Sequence, residues 1–478
     1  MVPPLATPLR LLPALVALAL AGCAGERSSQ THILVLDEET ANDLETAALA
    51  QGLVAFDAEG GIVPALAASW HVSDDGLSYI FRLDDARWSD GDPVAADRVA
   101  RTLARQFEEA SVPFGDTVGA IEDIEAMTDR VIEIRLNSPR PFLLQLLAQP
   151  TFAIRDGDVA TGPFTVLPSE ADDDEEGAIL LGRLADDMDE EVVSEQRLMI
   201  EQAGIVDALE RFAAGEVDLV TGGRFDTLPL AQEASGLFGA PRIDPVAGLF
   251  GLRPVSDSAL LADPELRGAL NRAIDRDALV RSLGVSGLLP RATILQSGLD
   301  VPSDATVPDF VQADLEARRS GARALLEERD LDGSTVTVDL PQGPGADTLF
   351  QRLVADWGTI GLRVERANGP SNADFVLVDA VAPAMNAGWY LNHFRCDRST
   401  ICSEETDSLL DRARDTRDLA ERRQALLEAT LRIQNEALFL PLAAPVRWSL
   451  VGAGLDGFVE NRFARHDAGL LRSREGRR

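Results

Sequence analysis

The residues that could do chemistry in this sequence are few and widely spaced. Its four histidines lie far apart in the chain, so their spacing predicts neither a catalytic triad nor a metal site. The motifs G-x-S-x-G and H-E-x-x-H and the phosphate-binding loop are absent. The nearest match is GVSG at 284–287, which is close to a nucleophile elbow but lacks the second glycine at the required spacing. We therefore expect no catalytic residue and no cofactor, which leaves binding as the predicted activity.

Cys23 has the most specific chemistry of the three cysteines. It follows an apolar run at 11–21, which is too short to span a bilayer but suits the core of a signal peptide. The letters LAGC at 20–23 resemble the lipobox of bacterial lipoproteins, in which the cysteine is acylated. The pattern predicts a lipoprotein signal peptide at 1–22, an acylated cysteine and linker at 23–31, and lipid anchoring on the periplasmic side of the cell envelope. An ordinary cleaved signal with a chance cysteine is the alternative.

Export would place the other two cysteines in an oxidising compartment. Cys396 and Cys402 are separated by five residues in a polar stretch, which predicts a local disulfide. Closing so small a loop would stabilise the fold by roughly 2 kcal/mol in the chain-entropy model. A metal site that includes His393 and Asp397 is the alternative, although this cysteine spacing matches no standard zinc site.

The composition sets limits on size and partners. The chain has 478 residues, of which 45% are hydrophobic, enough for two or three domains. The formal net charge of −35 argues against nucleic acid and anionic lipid surfaces, because phosphates would be repelled. The chain is very acidic at 169–191, which predicts a solvated loop or an edge hairpin there. A cation site is the alternative there, although the run lacks the spaced glycine of a calcium loop.

The elements that would position a binding site are most clearly marked at residues 64–99. Asp75-Gly76 is a hairpin turn signal, because glycine takes the positive φ that a tight turn requires. Residues 77–83 largely alternate apolar and polar side chains, as a half-buried strand does. Apolar side chains recur every fourth residue at 99–107, which predicts a helix.

This stretch resembles the signature of the family 5 extracellular solute-binding proteins, the peptide- and nickel-type receptors of ABC importers. The family pattern reads P-x-L-A-x-S-W-x-x-S-x-D-G-x-x-Y-x-F-x-L and then W-S-D-G-x-P, which the chain matches at 64–93. Ala95 stands where a threonine usually caps the next helix, so we expect that helix to begin at Asp92. Further resemblances are TGPF at 161–164, ALERFAAGEVDLV at 208–220, DPELRGALNRAIDRDALV at 263–280 and FLPL at 439–442.

The resemblance implies an α/β periplasmic-binding-protein fold of two lobes joined by a hinge, with a small third domain inserted. It implies a monomeric receptor that closes over a small-molecule or peptide-like ligand and delivers it to an ABC permease and its ATPase, without a cofactor or a metal. A binding or scaffold lipoprotein on the same fold is the alternative, and a hydrolase is a third reading. The predicted boundaries are 32–57, 159–249 and 440–478 for lobe I, 58–158 for the inserted domain and 250–439 for lobe II.

The resemblance also implies where a ligand would bind. In peptide-binding relatives an aspartate three residues after a tryptophan anchors the amino group of the peptide. One alignment register puts Asn392 there, after Trp389, and another puts Pro383 there. The carboxylate is missing in both, and a buried ammonium without an anionic partner is costly. We therefore expect a ligand other than a peptide with a free amino terminus.

Four further side chains complete the predicted site. Trp389 and Tyr390 could stack on a planar or apolar part of the ligand, or they could simply pack beside the disulfide. Phe250 and Arg253 occupy a strand in which relatives typically carry an asparagine. The predicted ligand-binding set is therefore Trp389, Tyr390, Asn392, Phe250 and Arg253.

Overall fold

The computed structural model describes residues 29–110, 114, 119–167, 178–183, 196–301 and 306–473. The predicted signal peptide and Cys23 lie outside these residues, as does most of the acidic stretch. Strand β1 begins at Ser29, so residues 29–31 belong to a strand and not to the predicted linker. None of the helices in the described ranges combines the length and apolar character that spanning a bilayer requires.

Helices and strands alternate along much of the described chain. The helices are α1 Glu38–Leu49, α2 Ala96–Glu109, α3 Leu143–Leu147, α4 Ile205–Ala214, α5 Leu228–Glu233, α6 Ser235–Phe238, α7 Ala259–Ala262, α8 Pro264–Ala273, α9 Arg276–Leu283, α10 Leu315–Glu328, α11 Pro344–Gly358, α12 Ala387–Asn392, α13 Glu404–Asp415 and α14 Leu419–Asn435. The strands are β1 Ser29–Val35, β2 Val54–Phe56, β3 Ile62–Pro64, β4 Ala67–Val72, β5 Ser78–Leu83, β6 Ile121–Thr128, β7 Val131–Leu136, β8 Arg155–Asp156, β9 Val159–Ala160, β10 Phe164–Val166, β11 Ala178–Arg183, β12 Gln196–Gln202, β13 Leu219–Arg224, β14 Arg242–Asp244, β15 Gly248–Pro254, β16 Thr335–Asp339, β17 Arg363–Arg366, β18 Phe375–Val381, β19 Leu440–Ala443, β20 Arg447–Val451, β21 Leu455–Asp456 and β22 Arg472–Ser473.

Three larger sheets organise these elements. A seven-stranded mixed sheet has the order β10-β11-β12-β1-β13-β20-β14 and forms the first lobe. A five-stranded mixed sheet, β17-β16-β18-β15-β19, forms the second lobe. An antiparallel four-stranded sheet, β4-β5-β7-β6, forms the small domain inserted between β3 and β8. The α/β class and the two-lobed architecture agree with the prediction.

Two short segments connect the sheets of the lobes. One runs from β14 to β15, and the other runs from β19 to β20. Because β19 pairs with β15, residues 440–443 belong to the second lobe and the predicted boundary at 439/440 is placed too early. Strand β15 begins at Gly248, so the boundary at 249/250 is placed slightly too late. Both errors arise because a strand's pairing partner is not readable from the strand itself.

The small domain follows the alternation predicted from the sequence. Strands β4 and β5 form an antiparallel hairpin, and Gly76 in its turn has φ +68°. Tyr79, Phe81 and Leu83 are buried, since they point toward the face on which α2 packs. These side chains form one core with Leu103 and its neighbours on α2.

Helix α2 begins at Ala96, so the predicted start at Asp92 is wrong. Asp92 is held in the preceding turn, where its carbonyl accepts from the Trp88 N–H at 2.8 Å. Its own N–H donates to the Asp90 carboxylate at 3.0 Å. Ala95 takes the N-cap position without a side-chain hydrogen bond. The cap predicted to be lost is indeed missing, but the turn keeps the helix from starting earlier.

Candidate functional site

A cavity of about 440 Å³ lies between the two lobes. The first lobe contributes the end of β13 and the start of β20, together with the loop at 463–466. The second lobe contributes the end of β18 and two side chains of the α12 region. The residues that carry its chemistry are Glu39, Asp43, Arg224, Asp244, Asp379, Trp389, His393, Arg447, Arg465 and His466. Because both lobes form its walls, a molecule held here would contact both.

One ion pair at this cavity joins the lobes directly. Arg447 at the start of β20 donates through Nη1 to the Asp379 Oδ1 of β18 at 2.8 Å. Its Nη2 also donates to the Asp379 backbone carbonyl at 3.2 Å. The side chains are 13% and 10% exposed, so water screens the pair only partly. A ligand in the cavity would meet this pair already neutralised.

The other acidic side chains of the cavity wall each lie beside an arginine or a histidine. Glu39 lies 3.5 Å from the Arg224 guanidinium. Asp43 pairs with Arg465. Asp244 lies 3.3 Å from His466 Nε2, whose ring stacks on a phenylalanine at 4.2 Å. Among the described residues, therefore, no carboxylate lining this cavity stands without a nearby basic group.

The short helix α12 places an aromatic wall on the second lobe. Asn386 caps this helix, because its side chain accepts from the Gly388 N–H at 2.9 Å. Trp389 lies one turn into the helix and contacts the His393 ring edge-on, with the centroids 4.7 Å apart. Burial lowers the pKa of His393 to about 4, so the imidazole is neutral at pH 7. Its Nε2 is buried without a hydrogen-bond partner in the described chain.

The structure brings Trp389 to the cavity but not its two predicted neighbours. Tyr390 is 0% exposed and lies in the core of the second lobe. Asn392 is buried, and its amide oxygen accepts from Arg395 Nε at 2.7 Å. Consecutive residues on a helix point in different directions, which explains why only Trp389 reaches the cavity. Neither Tyr390 nor Asn392 is retained as a ligand contact.

The predicted contacts on β15 also lie away from the cavity. Phe250 is 1% exposed and packs edge-on against Phe225, with the ring centroids 4.9 Å apart. Arg253 is partly buried, which lowers its pKa, and it does not line the cavity. Pro383 does line it. Of the two positions that the registers align with the anchoring aspartate of relatives, Pro383 lines the cavity and Asn392 does not.

Sequence reasoning missed the charged residues of the cavity. Asp379 carries the one readable signal, because it is an acidic residue inside the apolar strand FVLVDAV. An isolated charge in such a strand is expensive unless it has a partner. Arg224 is the last residue of β13, and Arg447 is the first residue of β20. Neither interrupts an apolar strand, so neither gives a comparable signal.

Cys396 and Cys402 lie at disulfide-bonding distance, with their Cα atoms 5.1 Å apart. The loop between them follows α12, and the Cys396 N–H donates to the Asp407 carboxylate at 3.2 Å. Two sulfurs paired in this way are not available as thiolate ligands for a metal. The described residues contain no group of three or more His, Cys, Asp or Glu placed to hold a metal ion.

The small domain is hydrogen-bonded to the second lobe, both at the cavity wall and away from it. Gln149 donates through Nε2 to the Pro383 carbonyl at 2.7 Å. The Met385 N–H donates to Gln145 Oε1 at 2.8 Å. Arg140 donates through Nη2 to the Arg414 carbonyl at 2.7 Å. The described conformation therefore has both lobes and the small domain in contact around the cavity.

Sequence comparison places the chain among known binding proteins. Residues 61–181 and 201–398 match the family "Bacterial extracellular solute-binding proteins, family 5 Middle". The chain is 27% identical over 327 residues to the probable deoxycholate-binding periplasmic protein YgiS of Escherichia coli, covering 60% of this chain and 58% of that protein. It is 21% identical over 332 residues to the oligopeptide-binding protein OppA of Bacillus subtilis, covering 61% and 58%. Both matches span less than two thirds of the relative's length.

Structural comparison extends the likeness over almost the whole chain. The murein tripeptide binding protein MppA of Escherichia coli superposes with a TM-score of 0.76 at 17% identity, covering 93% of this chain and 98% of that one. Because the identity is only 17%, the superposition establishes the two-lobed fold alone. Membership of the family rests on the match to the family model. This chain belongs to the family 5 bacterial extracellular solute-binding proteins.

Proposed function

We propose that this protein is the extracytoplasmic receptor of an ABC importer, which captures a small solute between its lobes and delivers it to a permease and its ATPase. The observation that carries the proposal is the interlobe cavity, since both lobes supply its walls. A ligand that touches both lobes favours the closed form by differential affinity, and a permease can distinguish that form from the open one. The receptor acts as a monomer and needs no cofactor.

The ligand of this receptor does not depend on a free amino terminus. Each carboxylate lining the interlobe cavity in the described chain has a basic group nearby, and Pro383, the aligned residue in one of the two registers, lines the same cavity. Placing an ammonium there would require breaking an existing pair. The names of the relatives refer to deoxycholate, oligopeptides and a murein tripeptide, so membership of the family leaves the ligand class open.

Calorimetry with di- and tripeptides and their N-acetylated forms tests this ligand proposal. We expect acetylation to leave the affinity unchanged or to improve it, because each carboxylate that lines the interlobe cavity in the described ranges already lies beside a basic group. Tight binding that requires the free amine would contradict the proposal. Turnover of a peptide would instead favour a hydrolase, and the absence of any thermal shift with peptides, sugars, opines and metal chelates would favour a scaffold role.

Lipid anchoring through Cys23 belongs to the same proposal. It rests on the LAGC pattern at 20–23 and on the apolar run before it. Cys23→Ser removes the thiol that would be acylated, so we expect the protein to move from the membrane to the soluble periplasmic fraction. Cell fractionation with immunodetection measures this. Membrane association equal to that of the wild type would refute the anchor.

A further inference from the structure

A second cavity, of about 530 Å³, adjoins the interlobe cavity between the first lobe and the small domain. It lies between α1, strand β2, the 148–153 segment of the small domain and the loop at 464–470. The two cavities share wall residues, namely Thr40, Asp43, Gln149, Thr221, Ala464, Arg465 and His466. The Asp43–Arg465 pair therefore stands where they meet, and a single molecule could extend from one into the other. Hereafter this space is the side cavity.

The walls of the side cavity are mostly apolar. One face of α1 enters it, because residues spaced by three and four along a helix share a side. That face carries Thr40 and Asp43 near the junction and Leu44 and Ala47 farther in. Strand β2 and the segments opposite add Val54, Phe56, Val63, Pro150 and Pro163.

The charged groups farther along its wall are bonded to the protein itself. Asp57 accepts from the Gly61 N–H, and Asp467 accepts from the Gly469 N–H at 2.7 Å. Arg183 donates to the Gln196 side chain at 3.4 Å. Because these charged groups are already hydrogen-bonded, the apolar side chains form most of the surface that a ligand would contact. A space of this volume is within the range that holds a drug-sized apolar group.

We infer that the side cavity binds the apolar portion of an amphiphilic solute whose polar portion lies in the interlobe cavity. The occupant is an N-acylated peptide or a similar amide, with its acyl chain along α1 and its amide and carboxylate near the Asp43–Arg465 pair. The charge pairing disfavours an ammonium at the junction, whereas an acyl amide brings no charge there. This inference rests on the proposed function, because it names the substrate class of the same receptor.

Calorimetry with N-acetyl-, N-hexanoyl-, N-octanoyl- and N-decanoyl-glycylglycine, each below its micelle concentration, tests the inference. In the wild type we expect the dissociation constant to fall by about fourfold for each added methylene until the side cavity is full. Ala47→Phe fills that cavity from α1 and should abolish the gain in affinity with acyl length, whereas the wild type retains it. Ala213→Phe is the matched control, since Ala213 is an exposed alanine near the end of α4 and lines neither cavity.

Two results would overturn the inference. One is a wild-type affinity that does not change with acyl length, a test that needs no variant to fold. The other is a gain with length that persists in Ala47→Phe. If no acylated probe binds but another solute compacts the protein, the inference fails and the proposed function stands. If no solute compacts the protein, both fail.

Discussion

Trp448→Ala is expected to lower the free energy of unfolding by about 4 kcal/mol, because it empties a large site in the core beside the cavity. Trp448 is 1% exposed and belongs to a core cluster that includes residues of both lobes. Its indole N–H donates to the Arg224 carbonyl at 2.8 Å. The strand opposite has Gly223, where an added Cβ would lie 2.1 Å from the indole, so the backbone approaches the ring closely. We therefore expect the surrounding groups to fill little of the space that the ring leaves.

Trp448→Phe is the graded control for that prediction. It keeps most of the apolar volume and loses the hydrogen bond, so we expect a cost of about 1–2 kcal/mol. Urea unfolding followed by far-ultraviolet circular dichroism measures both variants. A cost for Trp448→Ala no greater than that for Trp448→Phe would mean that the ring does not support the core as described.

Local sequence patterns were enough for the β4–β5 hairpin of the small domain and for some helix ends, although not for the start of α2. The alternation at 77–83 and the glycine at 76 act through neighbouring residues only, so the hairpin could be predicted. Gly215 ends α4 with φ +74°, as a glycine after a helix often does. Asp275 caps α9 by accepting from the Ala278 N–H, as an aspartate just before a helix often does.

The site itself depended on contacts between distant parts of the chain. Asp379 and Arg447 are 68 residues apart, and Gln149 and Pro383 are 234 apart. A single sequence carries no record of such pairing. The error at Tyr390 had a local cause, because Asn386-Ala387-Gly388 signals a helix cap and a helix exposes only one of every few side chains to the cavity.

Closure of the lobes should depend on the contacts made by the small domain. Two chain connections tie this domain to the first lobe, whereas it meets the second lobe only through contacts such as that of Gln145 with the Met385 N–H. Gln145→Ala leaves that N–H unpaired in the closed form alone, at a cost of about 1–2 kcal/mol. We expect ligand affinity to fall about tenfold for this reason. Gln106→Ala is the matched control, because Gln106 donates to the Ala153 carbonyl and not to the second lobe.

Small-angle X-ray scattering during titration with free and N-acylated peptides, sugars, opines and metal chelates tests the central claim of a closing receptor. We expect at least one solute to lower the radius of gyration of the wild type saturably. We also expect Gln145→Ala to need about tenfold more of that solute, while Gln106→Ala behaves as the wild type. A radius of gyration that no solute changes, or a compaction equally sensitive to both glutamine substitutions, would contradict a receptor that closes around the interlobe cavity.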